Sequence, residues 1–137
     1  MAAAVSQPDA YAGELPVCYV TLREGAHVSE EELQSYAQQH IAERPAWPKK
    51  IYVVAAIPMT GVGKIFKPVL RADATARLVQ QIVQDATGLS GVAVQAEPGG
   101  KRGMTVSVTL SAAQAEFASV IERALAAYLF ELKVVLD

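Results

Sequence analysis

The residues best suited to chemistry in this chain of 137 residues lie in one short stretch, Pro58-Met59-Thr60-Gly61-Val62-Gly63-Lys64-Ile65. Gly61 and Gly63 are expected to allow positive φ and a close approach of backbone to ligand. Lys64 sets a compact ammonium at the end of the loop. An apolar run, then glycines, then a cation suits an oxygen-rich anion such as a phosphate. A plain surface turn is the other reading of the same residues. The stretch is not a P-loop. That motif needs glycine five residues before the Gly-Lys pair and a hydroxyl residue after it, and here those positions hold Pro58 and Ile65.

Other candidates carry less. Cys18 is the single cysteine, which excludes an internal disulfide and a cysteine metal cluster. His27 and His40 fall in no ligand motif, and no Gly-x-Ser-x-Gly elbow accompanies the serines. Lys49, Lys50, Lys67 and Arg71 could form a basic rim near the loop, or simply be solvated. The net charge of −2 gives no support to nucleic-acid binding. No apolar run approaches a membrane span. The start lacks the basic and apolar regions of a signal peptide, which points to the cytoplasm. Ala2-Val5 reads as strand material with no lead-in, as if the chain were cut from a longer one.

The elements that must position Lys64 follow from the pattern. Ala2-Val5 is a strand, Ser6-Gly13 a turn-rich loop, and Pro16-Leu22 a second strand with apolar residues on both faces. Pro16 is expected only at a strand's beginning. Ser29 with Glu32 forms a capping box for a helix, and Glu30-Glu31-Glu32 suits the positive end of its dipole. Leu33, Tyr36, Ala37 and Ile41 would share its apolar face, and Pro45 would stop it. Ile51-Ile57 is apolar on both faces and reads as a central strand. After the glycine-lysine loop, Pro68 opens a helix to about Ala86, with a stripe of Val69, Ala72, Ala76, Val79, Val83 and Ala86. Asp73 and Arg77 can pair on its outer face, and Gly88 can cap its end. Strands at Gly91-Gln95 and Met104-Leu110 flank the hairpin loop Glu97-Gly103. Ser111 with Gln114 is a second capping box, and Phe130-Leu136 alternates as a last strand. The expected fold is α+β, a small mixed sheet with flanking helices, in which strand-strand-helix-strand occurs twice and a helix joins the two. The expected division is 1–87 and 88–137.

Ile57-Pro-Met-Thr-Gly-Val-Gly-Lys-Ile65, preceded by Pro8-Asp9, Gly13-Glu14-Leu-Pro16 and a strand, resembles the last core motifs of AMP-forming acyl-CoA synthetases, within the adenylate-forming superfamily. The resemblance spans about Ala2 to Arg71. It implies a small, mobile C-terminal lid over a large N-terminal adenylating domain that is missing from this sequence. It implies ATP and CoA as substrates with a fatty or other carboxylic acid, Mg2+ in the full enzyme, and Lys64 as the adenylation lysine. Thr60, Gly61 and Gly63 would form the nucleotide- or substrate-facing loop, with Lys67 and Arg71 as a basic rim. The fragment alone would bind no cofactor and be inactive. The Pro58 to Lys64 spacing also resembles the target of a lysine acetyltransferase, whose modification would remove the charge. A non-catalytic regulatory or interaction module is the alternative, to be distinguished by whether an adenylating domain is encoded upstream.

Overall fold

The computed structural model describes residues 1–137. Strand β1 (Ala2–Asp9) and strand β2 (Gly13–Val20) form an antiparallel hairpin, helix α1 (Glu30–His40) follows, and strand β3 (Ile51–Val53) pairs parallel to β2. Helix α2 (Lys67–Thr87) leads to the second unit. There β4 (Ala93–Pro98) and β5 (Met104–Leu110) form a hairpin, and a 3-10 turn at Ala112–Phe117 runs into helix α3 (Ala118–Leu125). Strand β6 (Glu131–Leu136) then pairs parallel to β5. The α+β class and the doubled strand-strand-helix-strand pattern are therefore present. The strands make two separate three-stranded sheets, ordered β1-β2-β3 and β4-β5-β6, with the second strand of each unit central.

Helix α2 joins two hydrophobic cores. Its first half gives Leu70 and Ala74 to a cluster with Ala3, Val5, Val17 and Tyr19. Its second half gives Val79 and Val83 to a cluster with Val106, Val108, Leu110 and Ile121. The buried positions are Leu70, Ala72, Ala74, Thr75, Val79 and Val83, whereas Val69 and Ala86 of the expected stripe are exposed. The stripe turns along the helix because the two sheets meet it on different sides. Gly88 ends α2 in the left-handed conformation (φ +76°), its N–H donating to the Gln84 carbonyl at 2.8 Å.

Several local expectations are corrected by packing. Ser6 to Asp9 extend β1 rather than forming a loop. Gln7 can be buried there because its amide donates to the Tyr52 hydroxyl at 3.0 Å and the Ala74 carbonyl at 2.8 Å. Pro16 lies inside β2, where its carbonyl accepts from the Lys49 N–H on the side that β3 has not yet reached, so no ladder donor is missed. The other face of β2, Cys18 and Val20, is only half-buried. Ile51-Ile57 is not a central strand. Only Ile51–Val53 is extended, at the sheet's edge, and the free Val53 N–H donates to Glu30 at 2.8 Å. Ile57 is buried as an anchor after the strand has ended. Ser29 does cap α1, accepting from the Glu32 N–H at 3.0 Å, yet the helix buries no residue and Tyr36 is 61% exposed. Both bonds of the Ser111–Gln114 box form, but around a 3-10 turn. No helix is long and apolar enough to cross a membrane.

Candidate functional site

The glycine-lysine stretch is a tight hairpin between two anchors. Ile57 is buried in the first core and Ile65 packs against it. Met59 and Ile65 form an antiparallel bridge, and the Phe66 N–H donates to the Pro58 carbonyl at 2.9 Å. At the tip the Gly63 N–H donates to the Thr60 carbonyl at 3.0 Å, and the Thr60 N–H to the Lys64 carbonyl at 2.6 Å. The Lys64 N–H also donates to the Thr60 hydroxyl at 3.1 Å. This is a three-residue hairpin loop whose last residue sits left-handed. Gly63 supplies it, at φ +82°. Gly61 does not take positive φ, and nothing lies within 4 Å of where its Cβ would be. Its expected conformational role is therefore absent.

Lys64 emerges at the foot of this turn, exposed and in neither of the chain's two ion pairs. The hairpin residues 58–66 include no carboxylate. An unneutralised ammonium thus stands on a backbone fixed by Thr60 and by the Ile57 and Ile65 anchors. Val62 at the tip is 83% exposed, with Met59, Phe66 and Val69 exposed nearby. A cation set among exposed apolar side chains can be withdrawn from water by another surface, which strengthens its field.

The basic residues expected near the loop have different surroundings. Lys49 pairs with Asp9 at 3.1 Å. The Ala12 N–H first, then Lys49 and the Tyr11 N–H, hold the Asp9 carboxyl below its ordinary range. Lys50 lines a depression with Glu30 and Glu31. Lys67 and Arg71 line a cleft with Ala4, Ser6, Glu14 and Pro16 that contains no residue of the hairpin. Asp73 and Arg77 do pair, at 2.7 Å, but against the sheet rather than on an isolated outer face. The Tyr19 hydroxyl donates to Asp73 at 2.5 Å, and the Arg77 guanidinium lies 4.7 Å from the Tyr52 ring centroid. His40 stacks on Tyr36, and Trp47 donates to the Ile41 carbonyl at 2.8 Å, both local packing roles.

This hairpin lies at the end of a segment that known proteins share. Residues 1–64 match the sequence model of the AMP-binding enzyme C-terminal domain, a match that ends on Lys64. The match covers just under half of the chain. The chain is 54% identical over 84 residues to a marinolic acid–CoA ligase of Pseudoalteromonas sp. (strain SANK 73390), covering 61% of this chain and 13% of that protein. It is 39% identical over 77 residues to an acetyl-coenzyme A synthetase of Pyrobaculum arsenaticum, covering 54% of this chain and 11% of that one. Apo MatB from Rhodopseudomonas palustris superposes with a TM-score of 0.48 at 28% identity, over 51% of this chain and 14% of that chain. The chain therefore spans only 13% and 11% of the length of these two ligase relatives. The matched segment is similar to the C-terminal domain of AMP-binding enzymes and to part of these ligases. Residues 65–137, with the whole of α2 and the whole second sheet, lie outside the family match.

Proposed function

We propose that this chain is the mobile C-terminal lid of an ATP-dependent, AMP-forming acyl-CoA ligase, and that Lys64 is the residue it contributes to the adenylation step. The observation that carries this reading is the placement of Lys64. It is an exposed, unpaired ammonium on an anchored hairpin, at the end of the family segment. In that step a carboxylate attacks the α-phosphate of ATP. Two anions are brought together, an acyl–phosphate bond forms and pyrophosphate leaves. A preplaced cation stabilises the charge that gathers on the transferring group and costs no reorganisation at that moment. Thr60 and Gly63 act by holding the hairpin rather than by touching substrate. A lid that rotates can deliver Lys64 for adenylation and withdraw it for attack by CoA on the adenylate.

The substrates' own pockets belong to the large adenylating domain, and the lid alone is expected to be inactive. The hairpin has no carboxylate, so its residues do not fit a Mg2+ site. Any magnesium bound with ATP is held from the large domain. The same exposed amine is open to acetylation, which would remove the charge that adenylation needs. The units 1–87 and 88–137 are proposed as lid and tail, with α2 shared between their cores.

The test is Lys64→Ala in the full-length ligase. Removing one transition-state donor of this type costs about 3 kcal/mol or more, roughly 100- to 1000-fold in adenylation rate. Pyrophosphate exchange reads that step, and thioester formation from supplied acyl-adenylate reads the other. Loss of the first with retention of the second is expected. Near-normal exchange overturns the assignment.

A further inference from the structure

A second cationic site lies away from Lys64, where the two units meet. A cavity of about 150 Å³ is lined by Ser6, Glu14, Arg71 and Thr75 from the first unit and by Arg102 and Met104 from the second. It shares Ser6, Glu14 and Arg71 with the open cleft that Lys67 also lines. Three cations, Lys67, Arg71 and Arg102, thus line two adjoining depressions whose one carboxylate is Glu14. None of the four is in an ion pair, the two pairs of the chain being Lys49–Asp9 and Arg77–Asp73. Lys67 and Arg71 stand four residues apart on α2, a like-charge spacing that destabilises a helix when nothing offsets it.

Arg102 is not carried on a loose loop. The Gly99 N–H donates to the Gly103 carbonyl at 3.0 Å, and the Lys101 N–H to Glu131 at 3.1 Å. Gly100 is confined at φ +81°, and a Cβ there would come within 2.9 Å of the Glu131 carboxylate and 2.7 Å of the Thr105 hydroxyl. Glu131 thereby accepts from the loop backbone and forms no ion pair with Arg102. The floor offers the Ser6 hydroxyl beside the apolar Pro8 and Leu129. The Thr75 hydroxyl is already donated to the Arg71 carbonyl, which fixes that side of the wall.

We propose that this cleft binds a phosphoryl oxyanion, with Arg71 and Arg102 clamping it from the two units and Lys67 adding charge at the open end. Guanidinium groups suit phosphate because their N–H groups pair with its oxygens two at a time. Binding would tie the second sheet to the first across the cleft and give the residues beyond the family segment a task. The phosphoryl group could be that of free phosphate or pyrophosphate, of ATP, or of CoA.

The test uses this 137-residue chain with four probes in turn: inorganic phosphate, inorganic pyrophosphate, ATP and CoA. Amide chemical shifts and calorimetry are followed at low and high salt. Saturable binding is expected for at least one probe, with the response at Ser6, Glu14, Thr75 and Gly103, and weakened by salt. Whichever probe binds identifies the source of the group. Arg102→Ala and Arg71→Ala should each weaken it about tenfold or more. Lys133→Ala, the same charge change outside the cleft, should leave it unaltered. Glu14→Gln should tighten it by removing the opposing carboxylate, a sign that a purely structural role would not give. Arg102 is exposed at a hairpin tip, so its variant keeps the fold, which circular dichroism checks. Absence of saturable binding for all four probes overturns the proposal. So does binding that is indifferent to Arg102, or centred on Thr60 to Lys64.

Discussion

Tyr19 ties the first sheet to α2, and its replacement by Phe has a consequence that pH can isolate. The side chain is 1% exposed, and its hydroxyl donates to Asp73 at 2.5 Å. Burial first, and the hydrogen bond to Asp73 second, push the phenol far above its ordinary range. In the unfolded chain the same group ionises near pH 10. The unfolded state therefore binds fewer protons than the folded state once the pH exceeds about 10, and the sign of the linkage is loss of stability with rising pH. The contribution is fully present at pH 7, and wild type loses up to about 1.4 kcal/mol for each pH unit above 10 through this one group. Tyr19→Phe has no proton to lose there. At pH 7 it should cost about 1–1.5 kcal/mol. That is the low end for a hydrogen bond to a charged group, because Asp73 keeps Arg77 and its side chain is 45% exposed. Urea unfolding followed by Trp47 fluorescence, at pH 7 and at steps from 9.5 to 11, measures both effects. The gap between wild type and variant should narrow above pH 10 and all but close by about pH 11. A gap that stays constant with pH refutes the reasoning, since the other titrating groups are common to both proteins.

Other perturbations test the remaining contacts. Gly63→Ala places a side chain at φ +82° with no steric obstacle, so it should cost only the backbone penalty of about 1–2 kcal/mol. Amide exchange should quicken in Thr60 to Lys64 while the two cores keep their protection. Val79→Ala should destabilise by about 2–3 kcal/mol through the cavity it leaves in the second core. Because α2 belongs to both cores, Trp47 fluorescence in the first unit should report that loss as well, and a loss confined to the second unit would contradict the shared helix. Burial raises the Cys18 thiol above its usual range, so alkylation at pH 8 should be slow in the native chain and fast in urea.

Much of the local structure could be read from neighbouring residues. Ser29 capping α1 through the Glu32 N–H, Gly88 after α2, and the alternation of Val106, Val108 and Leu110 depend on short spacings and stand in the fold at their expected places, whereas the Ser111–Gln114 box forms on a 3-10 turn. The misread segments are those in which distant partners supplied what the local pattern lacked. Gln7 enters a strand because Tyr52 and Ala74 accept its donors. Ile57, after a run that resembled a central strand, is buried beyond the end of β3, in a core shared by the first sheet and α2. Asp73 and Arg77 were predictable as a pair, but nothing in their spacing shows Tyr19 beneath them.

For the candidate site the division is similar. The glycines and lysine could be read locally as a phosphate-suited loop or a plain surface turn, because turn chemistry and charge are local properties, and it was the resemblance to the synthetase motif that singled out Lys64. That Gly63 alone supplies the left-handed residue, that Thr60 closes the hairpin, and that Ile57 and Ile65 anchor it required the folded backbone. The tertiary structure also set Arg71 and Arg102, 31 positions apart in sequence, in the lining of one cavity. No periodicity encodes such a meeting. It follows from one helix, α2, serving two sheets, so that side chains from separate units share a single cleft.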